Sequence, residues 1–168
     1  MSHSSVVALP LLHIDDDPAE RRLVANANRS IERPFQLYSA NGAQSAAPHF
    51  RACSENEVNS YPQPAVVLLD YDLGTGTGAD FLYWLRQQTK LISIPVIMYS
   101  GSVNACDITE CYSKGANHFL HKSKSFKGAC QVLWLLSRCM TSSPPNFALL
   151  SQLPEYVWDP RMQHASAA

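Results

Sequence analysis

The sequence predicts a doubly wound α/β fold: a five-stranded parallel sheet with helices on both faces. Three observations carry that prediction. Five short apolar runs recur along the 168 residues. Segments with helical spacing separate them. The strongest runs are continuously apolar rather than alternating, as expected of parallel strands covered on both sides. Composition agrees, since 46% hydrophobic and 16% charged residues suit a single domain that buries a core without staples.

The first run, 9–14, stops at Asp15-Asp16-Asp17-Pro18. Proline suits the first position of a helix, where its missing N–H would have no partner, and Asp17 suits the N-cap, where a carboxylate accepts from free backbone N–H groups. Leu23, Val24, Ala27 and Ile31 follow at helical spacing, and Pro34 closes the segment. Residues 35–38 read as a weak second strand. Residues 41–64 contain Pro48, Pro62 and Pro64 without a clean period, and read as a short or irregular helix plus a longer loop. The run 65–69 is the third strand. Beyond it, Phe81, Leu82 and Leu85 recur at helical spacing from Gly78 onward. Residues 95–99 form the fourth strand. A helix over 105–114 ends at Gly115, a natural residue for the left-handed position after a helix. Residues 117–121 form the fifth strand, and Phe126, Ala129, Leu133, Leu136 and Met140 mark the apolar face of a last helix.

Ligand sites in open parallel sheets lie at the carboxyl ends of the strands. Strand one ends in Asp15 and Asp16, strand three in Asp70, strand four in Ser100 and strand five in Lys122. Such a fold gathers three carboxylates, a hydroxyl and an ammonium at one edge. Crowded carboxylates repel and need a cation. Oxygen-only ligands with room for water select Mg2+, or Mn2+, over zinc. The ion would screen Asp70 and a phosphoryl oxygen together, leaving Asp70 free to act as a nucleophile. Ser100 can donate to a second phosphoryl oxygen, and Lys122 can neutralise a third.

The motifs IDDDP, VVLLDYDL, PVIMYSG and HFLHK, in this order and each after an apolar run, resemble the receiver domain of two-component response regulators, as in single-domain chemotaxis-type regulators. The likeness runs over about 9–140, with 30 residues from Asp70 to Ser100 and 22 from Ser100 to Lys122. It implies the flavodoxin-like strand order 2-1-3-4-5. It implies a cytoplasmic, bacterial-type phosphoprotein that accepts a phosphoryl group on Asp70 from a sensor histidine kinase or phosphotransfer protein, rather than an enzyme acting on free substrates. The metal ligands would be Asp15, Asp16, Asp70 and the backbone carbonyl of Asp72. Ser100, Gly101 and Lys122 would receive the phosphoryl group, and Phe119 would be the switch aromatic. Its partners would be that kinase and an unidentified downstream protein. A homodimer through the fourth and fifth strand–helix units is compatible with the pattern.

Four features depart from the family pattern. Ser123 follows Lys122 where the family has proline. Gly74 stands in the place of a loop proline, Phe119 lacks a tyrosine's hydroxyl, and the stretch between Asp16 and Asp70 is longer than usual.

Two other classes match parts of this pattern. DYD resembles the D-x-D start of haloacid-dehalogenase-type phosphatases, with Asp70 as nucleophile and Asp72 as acid/base. That family also needs a downstream acidic pair, and only Glu155 and Asp159 follow Lys122. A pseudo-receiver, a pure interaction module independent of phosphorylation, would not need all five reactive groups.

GTGTG lacks dinucleotide-binding spacing; its glycines read as relief of a tight loop, with Thr77 capping the next helix. His13 and His121 read as sheet neighbours without the clustering of a metal site. Five irregularly spaced cysteines read as reduced thiols, and a formal net charge of -1 without a basic patch argues against direct DNA binding. The N-terminal run reads as neither a signal peptide nor a membrane span. The domain is placed at 1–140. Residues 141–168 form a tail without a separate output domain, either an arm that covers the domain or a partner, or a partly disordered end.

Overall fold

The computed structural model describes residues 8–50 and 61–160. In chain order the elements are β1 (Pro10–Ile14), α1 (Pro18–Arg29), β2 (Gln36–Ala40), α2 (Ala43–Ala46), β3 (Val66–Leu69), α3 (Gly78–Arg86), β4 (Val96–Ser100), α4 (Ala105–Ser113), β5 (His118–His121), α5 (Phe126–Cys139) and β6 (Tyr156–Val157). Short 3-10 turns at Ala47–Phe50 and Phe147–Gln152 complete the path.

The predicted caps form. The Asp17 carboxylate accepts from the Ala19 N–H at 2.7 Å, with Pro18 opening α1. Thr77 accepts from Asp80 N–H at the start of α3, and Gly115 follows α4 with φ 100°. Asn28 is a buried anchor that periodicity does not show. Its amide donates to the Phe35 carbonyl and accepts from the Phe35 N–H, both at 2.9 Å, turning the chain from α1 into β2.

The sheet order is β2-β1-β3-β4-β5-β6. The first five strands are parallel in the predicted order 2-1-3-4-5, and β6 is antiparallel to β5. Successive side chains alternate across the pleat. Leu12, Ile14, Val67, Leu69, Met98 and Phe119 share one core with α3 and α4, while Leu11, Val66, Leu68, Ile97, Tyr99 and Leu120 share the other with α1 and α5.

Several expectations need correction. The sheet has six strands, not five, because the tail returns to the β5 edge. Val157 pairs with Phe119 and Tyr156 with Leu120, which satisfies edge groups left open in a five-stranded sheet. The 3-10 turn buries Leu150 against the α1/α5 core, so the described part of the tail covers its own domain. Phe126 is not on the apolar face of α5 but exposed, because it occupies the first helical position, outside the packed turns. His13 and His121 are not neighbours: β3 and β4 lie between their strands. Cys106, Cys111, Cys130 and Cys139 are free thiols, and Cys53 lies outside the described residues. No described helix is long and apolar enough to cross a membrane.

Candidate functional site: an acidic pocket closed by Lys122

Parallel pairing aligns the strand ends. The Asp15 N–H donates to the Ala40 carbonyl and the Asp70 N–H to the Ile14 carbonyl, which brings the ends of β1, β2 and β3 level. Asp15, Asp16 and Asp70 then each present a carboxylate oxygen within 4.8 Å of the others. Asp15 and Asp70 are buried, whereas Asp16 is exposed. The Lys122 ammonium lies 2.7 Å from Asp15 Oδ2 and 2.7 Å from Asp70 Oδ2, bridging strands one and three from the end of strand five.

The remaining oxygens are held locally. Asp15 Oδ1 accepts from Asp17 N–H at 2.9 Å, and Asp70 Oδ1 from Tyr71 N–H at 2.7 Å. Arg21, on α1, donates to the carbonyls of Asp15 and Asp16. Two of the three loop glycines have a stated need. Gly74 adopts φ 71°, and a Cβ there would come within 3.0 Å of Asp16 Oδ2. Gly78 passes so close to the Asp70 carbonyl that a Cβ would collide with it. Nothing approaches Gly76. Asp72 accepts from Gly74 N–H at 3.1 Å and pairs across the loop with Thr77.

Ser100 is buried at the end of β4. Its carbonyl accepts from Lys122 N–H at 2.8 Å, and its hydroxyl accepts from Ser102 N–H at 3.2 Å. Exposed Gly101 places its carbonyl 3.2 Å from His121 Nε2. Phe119 is fully buried one strand away, in the α3/α4 core, and its N–H donates to the Tyr112 hydroxyl.

The two buried carboxyls are shifted in opposite directions from their ordinary value. Burial alone would raise Asp15, but the adjacent His13 ring and Lys122 ammonium outweigh it and hold the carboxyl below its ordinary value. At Asp70 burial dominates, and Lys122 only partly offsets it, so that carboxyl is raised. Burial also opposes the charge on Lys122, yet its two carboxylate partners win and keep the ammonium strongly protonated. Asp15 is thus a fixed anion, and Asp70 is the more basic carboxylate of the pair.

The donor set fits a hard divalent cation. It is all oxygen, partly open to water at Asp16, and free of thiol or imidazole among its three members. Other participants carried no readable signal. Tyr71 follows Asp70 and donates its hydroxyl to Glu110 on α4 at 2.9 Å. Fully buried His13 lies 3.5 Å from Asp15 Oδ2. A lone tyrosine or strand histidine looks like core until the packing is known.

Comparison with known proteins matches this geometry. The family model described as the response regulator receiver domain matches residues 11–132. The chain is 27% identical over 127 residues to response regulator Rcp1 of Synechocystis sp., covering 76% of this chain and 85% of that protein. It is 26% identical over 112 residues to the two-component response regulator ORR11 of Oryza sativa subsp. japonica, covering 67% and 69%. Among solved structures, the phosphorylated cyanobacterial phytochrome response regulator RcpA superposes with a TM-score of 0.69 at 24% identity, covering 81% of this chain and 96% of that one. The Mn2+-bound form of Rcp1 superposes with a TM-score of 0.64 at 25% identity, covering 75% and 89%. A family match over most of the chain, on a sheet that gathers the expected acids and lysine at one edge, means that this protein belongs to the response regulator receiver domain family, the signalling modules of two-component systems.

Proposed function

We propose that this chain is a single-domain response regulator whose Asp70 takes a phosphoryl group from the phosphohistidine of a sensor histidine kinase or phosphotransfer protein. The observation that carries this reading is the Lys122 ammonium, 2.7 Å from both Asp15 and Asp70. A cation held there from a distant strand partly offsets the burial of Asp70 and stands ready for added negative charge.

In the transfer an Asp70 carboxylate oxygen attacks phosphorus, a P–O bond forms, the P–N bond to the donor imidazole breaks, and the imidazole leaves with the bonding pair. Asp15, Asp16, Asp70 and the Asp72 backbone carbonyl would hold Mg2+ or Mn2+, which when bound supplies charge neutralisation for the incoming phosphoryl oxygens. Lys122 neutralises a phosphoryl oxygen, and the Ser100 hydroxyl turns from Ser102 to donate to another. The Asp15 anion, kept ionised by His13 and Lys122, stays available as a ligand.

The acyl phosphate has two routes outward. Ser100 opens the β4–α4 connection, and Tyr71, whose N–H touches Asp70 Oδ1, ties the β3–α3 loop to Glu110 on α4. Charge added at Asp70 therefore bears on α4 from both ends, with Phe119 in the core beneath it. The output is a changed α4 surface read by a downstream protein. On this reading, residues 1–140 are the receiver and 141–168 an appended arm rather than an output domain.

Intact mass after incubation with acetyl phosphate and Mg2+ tests the proposal. A single phosphate adduct on wild type, absent from Asp70→Asn, is expected. Rapid turnover of many phosphate esters would instead indicate a phosphatase, and an unmodified wild type a phosphorylation-independent module.

A further inference from the structure

We propose that Glu155, with the strand it precedes, positions the Lys122 loop, which makes the C-terminal segment a working part of the phosphoryl site. The inference rests on the phosphoacceptor reading and adds a positioning residue to it. Lys122 serves two carboxylates only if its backbone stays in place. Its loop has no rigid proline, since Ser123 follows it directly. Three successive N–H groups hold the loop instead. His121 donates to the Glu155 carbonyl at 2.7 Å, Lys122 to the Ser100 carbonyl at 2.8 Å, and Ser123 to the Tyr99 hydroxyl at 3.1 Å. The first of these partners comes from the tail.

The Glu155 side chain lies beside the same loop. A Cβ on Gly128 would collide with the Ser123 hydroxyl and come within 3.1 Å of Glu155 Oε1, so the loop, the first turn of α5 and the tail carboxylate meet at one point where only glycine fits. An anion there faces the positive end of the 14-residue α5, a favourable placement. Its other oxygen, Oε2, is buried without a hydrogen-bond partner, a costly arrangement for a side chain with no role beyond filling space. Tyr99, which holds Ser123, is pushed up to about 12 by burial first and then by the nearby carboxylates of Glu20 and Glu155.

The test uses the full chain as wild type, Glu155→Ala, Glu155→Gln and Gly128→Ala. Calorimetry measures Mg2+ affinity first, then the affinity of the magnesium-loaded protein for beryllofluoride, a phosphoryl mimic that needs Lys122. Glu155→Ala should weaken beryllofluoride binding and slow phosphorylation by acetyl phosphate about tenfold, the scale of a partly buried carboxylate at a helix N-terminus, with Mg2+ affinity unchanged. Glu155→Gln, which keeps the shape but not the charge, should recover only part of the loss. Gly128→Ala drives a Cβ into the Ser123 hydroxyl and should give the loss that a displaced loop causes, while Glu155→Gln carries the test of Glu155 if Glu155→Ala fails to fold. Wild-type beryllofluoride affinity in a folded Glu155→Ala, or a parallel fall in Mg2+ affinity, would overturn the positioning role. A wild type that takes up neither phosphate nor beryllofluoride would overturn the phosphoacceptor reading itself.

Discussion

Replacing Lys122 by methionine keeps most of the unbranched side chain and removes the charge. In the structure the ammonium stands 2.7 Å from Asp15 Oδ2 and from Asp70 Oδ2. At an effective dielectric of about 20, each contact is worth roughly 6 kcal/mol of Coulomb attraction. Desolvation of the half-buried ammonium and the two carboxylates offsets most of that sum. A net residue of about 1.5–3 kcal/mol still leaves the lysine competing with any divalent ion for the same anions. Removing it should therefore tighten Mg2+ binding by about tenfold to a hundredfold, since each factor of ten is about 1.4 kcal/mol. The same change removes the cation that meets the phosphoryl group, so phosphorylation by acetyl phosphate should fall by at least about a hundredfold. Calorimetric Mg2+ titration and intact mass against time measure the two effects on one preparation. Affinity and reactivity must move in opposite directions. A folded Lys122→Met chain with weaker Mg2+ binding, or with undiminished phosphorylation, would refute the reasoning.

Other predictions address different links in the account. Asn28→Ala leaves the Phe35 N–H and carbonyl buried without their partners; the cost should be about 2–3 kcal/mol, read as a fall in Tm of roughly 4–10 °C. Glu110 lies below its ordinary value of 4.5, chiefly through Lys114 and then Tyr71, and Asp80 below 3.8, through Lys114 and then Thr77. Depressed carboxyls stabilise the fold fully above their ordinary values and lose that contribution as pH falls through the folded ones. The Tyr71–Glu110–Lys114–Asp80 chain should thus loosen only below about pH 4.5, and Glu110→Gln should flatten the acid limb of a Tm-versus-pH curve. Asp72→Ala removes the carboxylate bonded to Gly74 N–H at the mouth of the pocket and should change the hydrolysis rate of the Asp70 acyl phosphate by severalfold. An unchanged decay, followed by intact mass, would exclude a role for that side chain in water access.

The site was more legible than its surroundings, for a physical reason. Asp15, Asp70, Ser100 and Lys122 each stand where an apolar run stops, and parallel strands with right-handed crossovers must bring those stops to one edge. Caps were legible for a similarly local reason: Asp17 and Thr77 act on N–H groups two or three residues away. Contacts decided by packing were not. Nothing in YV at 156–157 marks a strand until the open edge of β5 is known. His13 and His121 sit on strands that β3 and β4 separate in space. Tyr71 and Glu110 are 39 residues apart and meet only because α4 packs beside the β3–α3 loop. Phe126 fits the period of α5 but falls in its first turn, beyond the reach of the core.

The most direct measurement is chemical location of the phosphate. After reaction with acetyl phosphate and Mg2+, borohydride reduction converts an aspartyl phosphate to homoserine, and tandem mass spectrometry of the peptides finds the altered residue. The account predicts homoserine at position 70 and nowhere else. Homoserine at Asp15, Asp16 or Asp72, or phosphate retained on a serine or histidine, would contradict it.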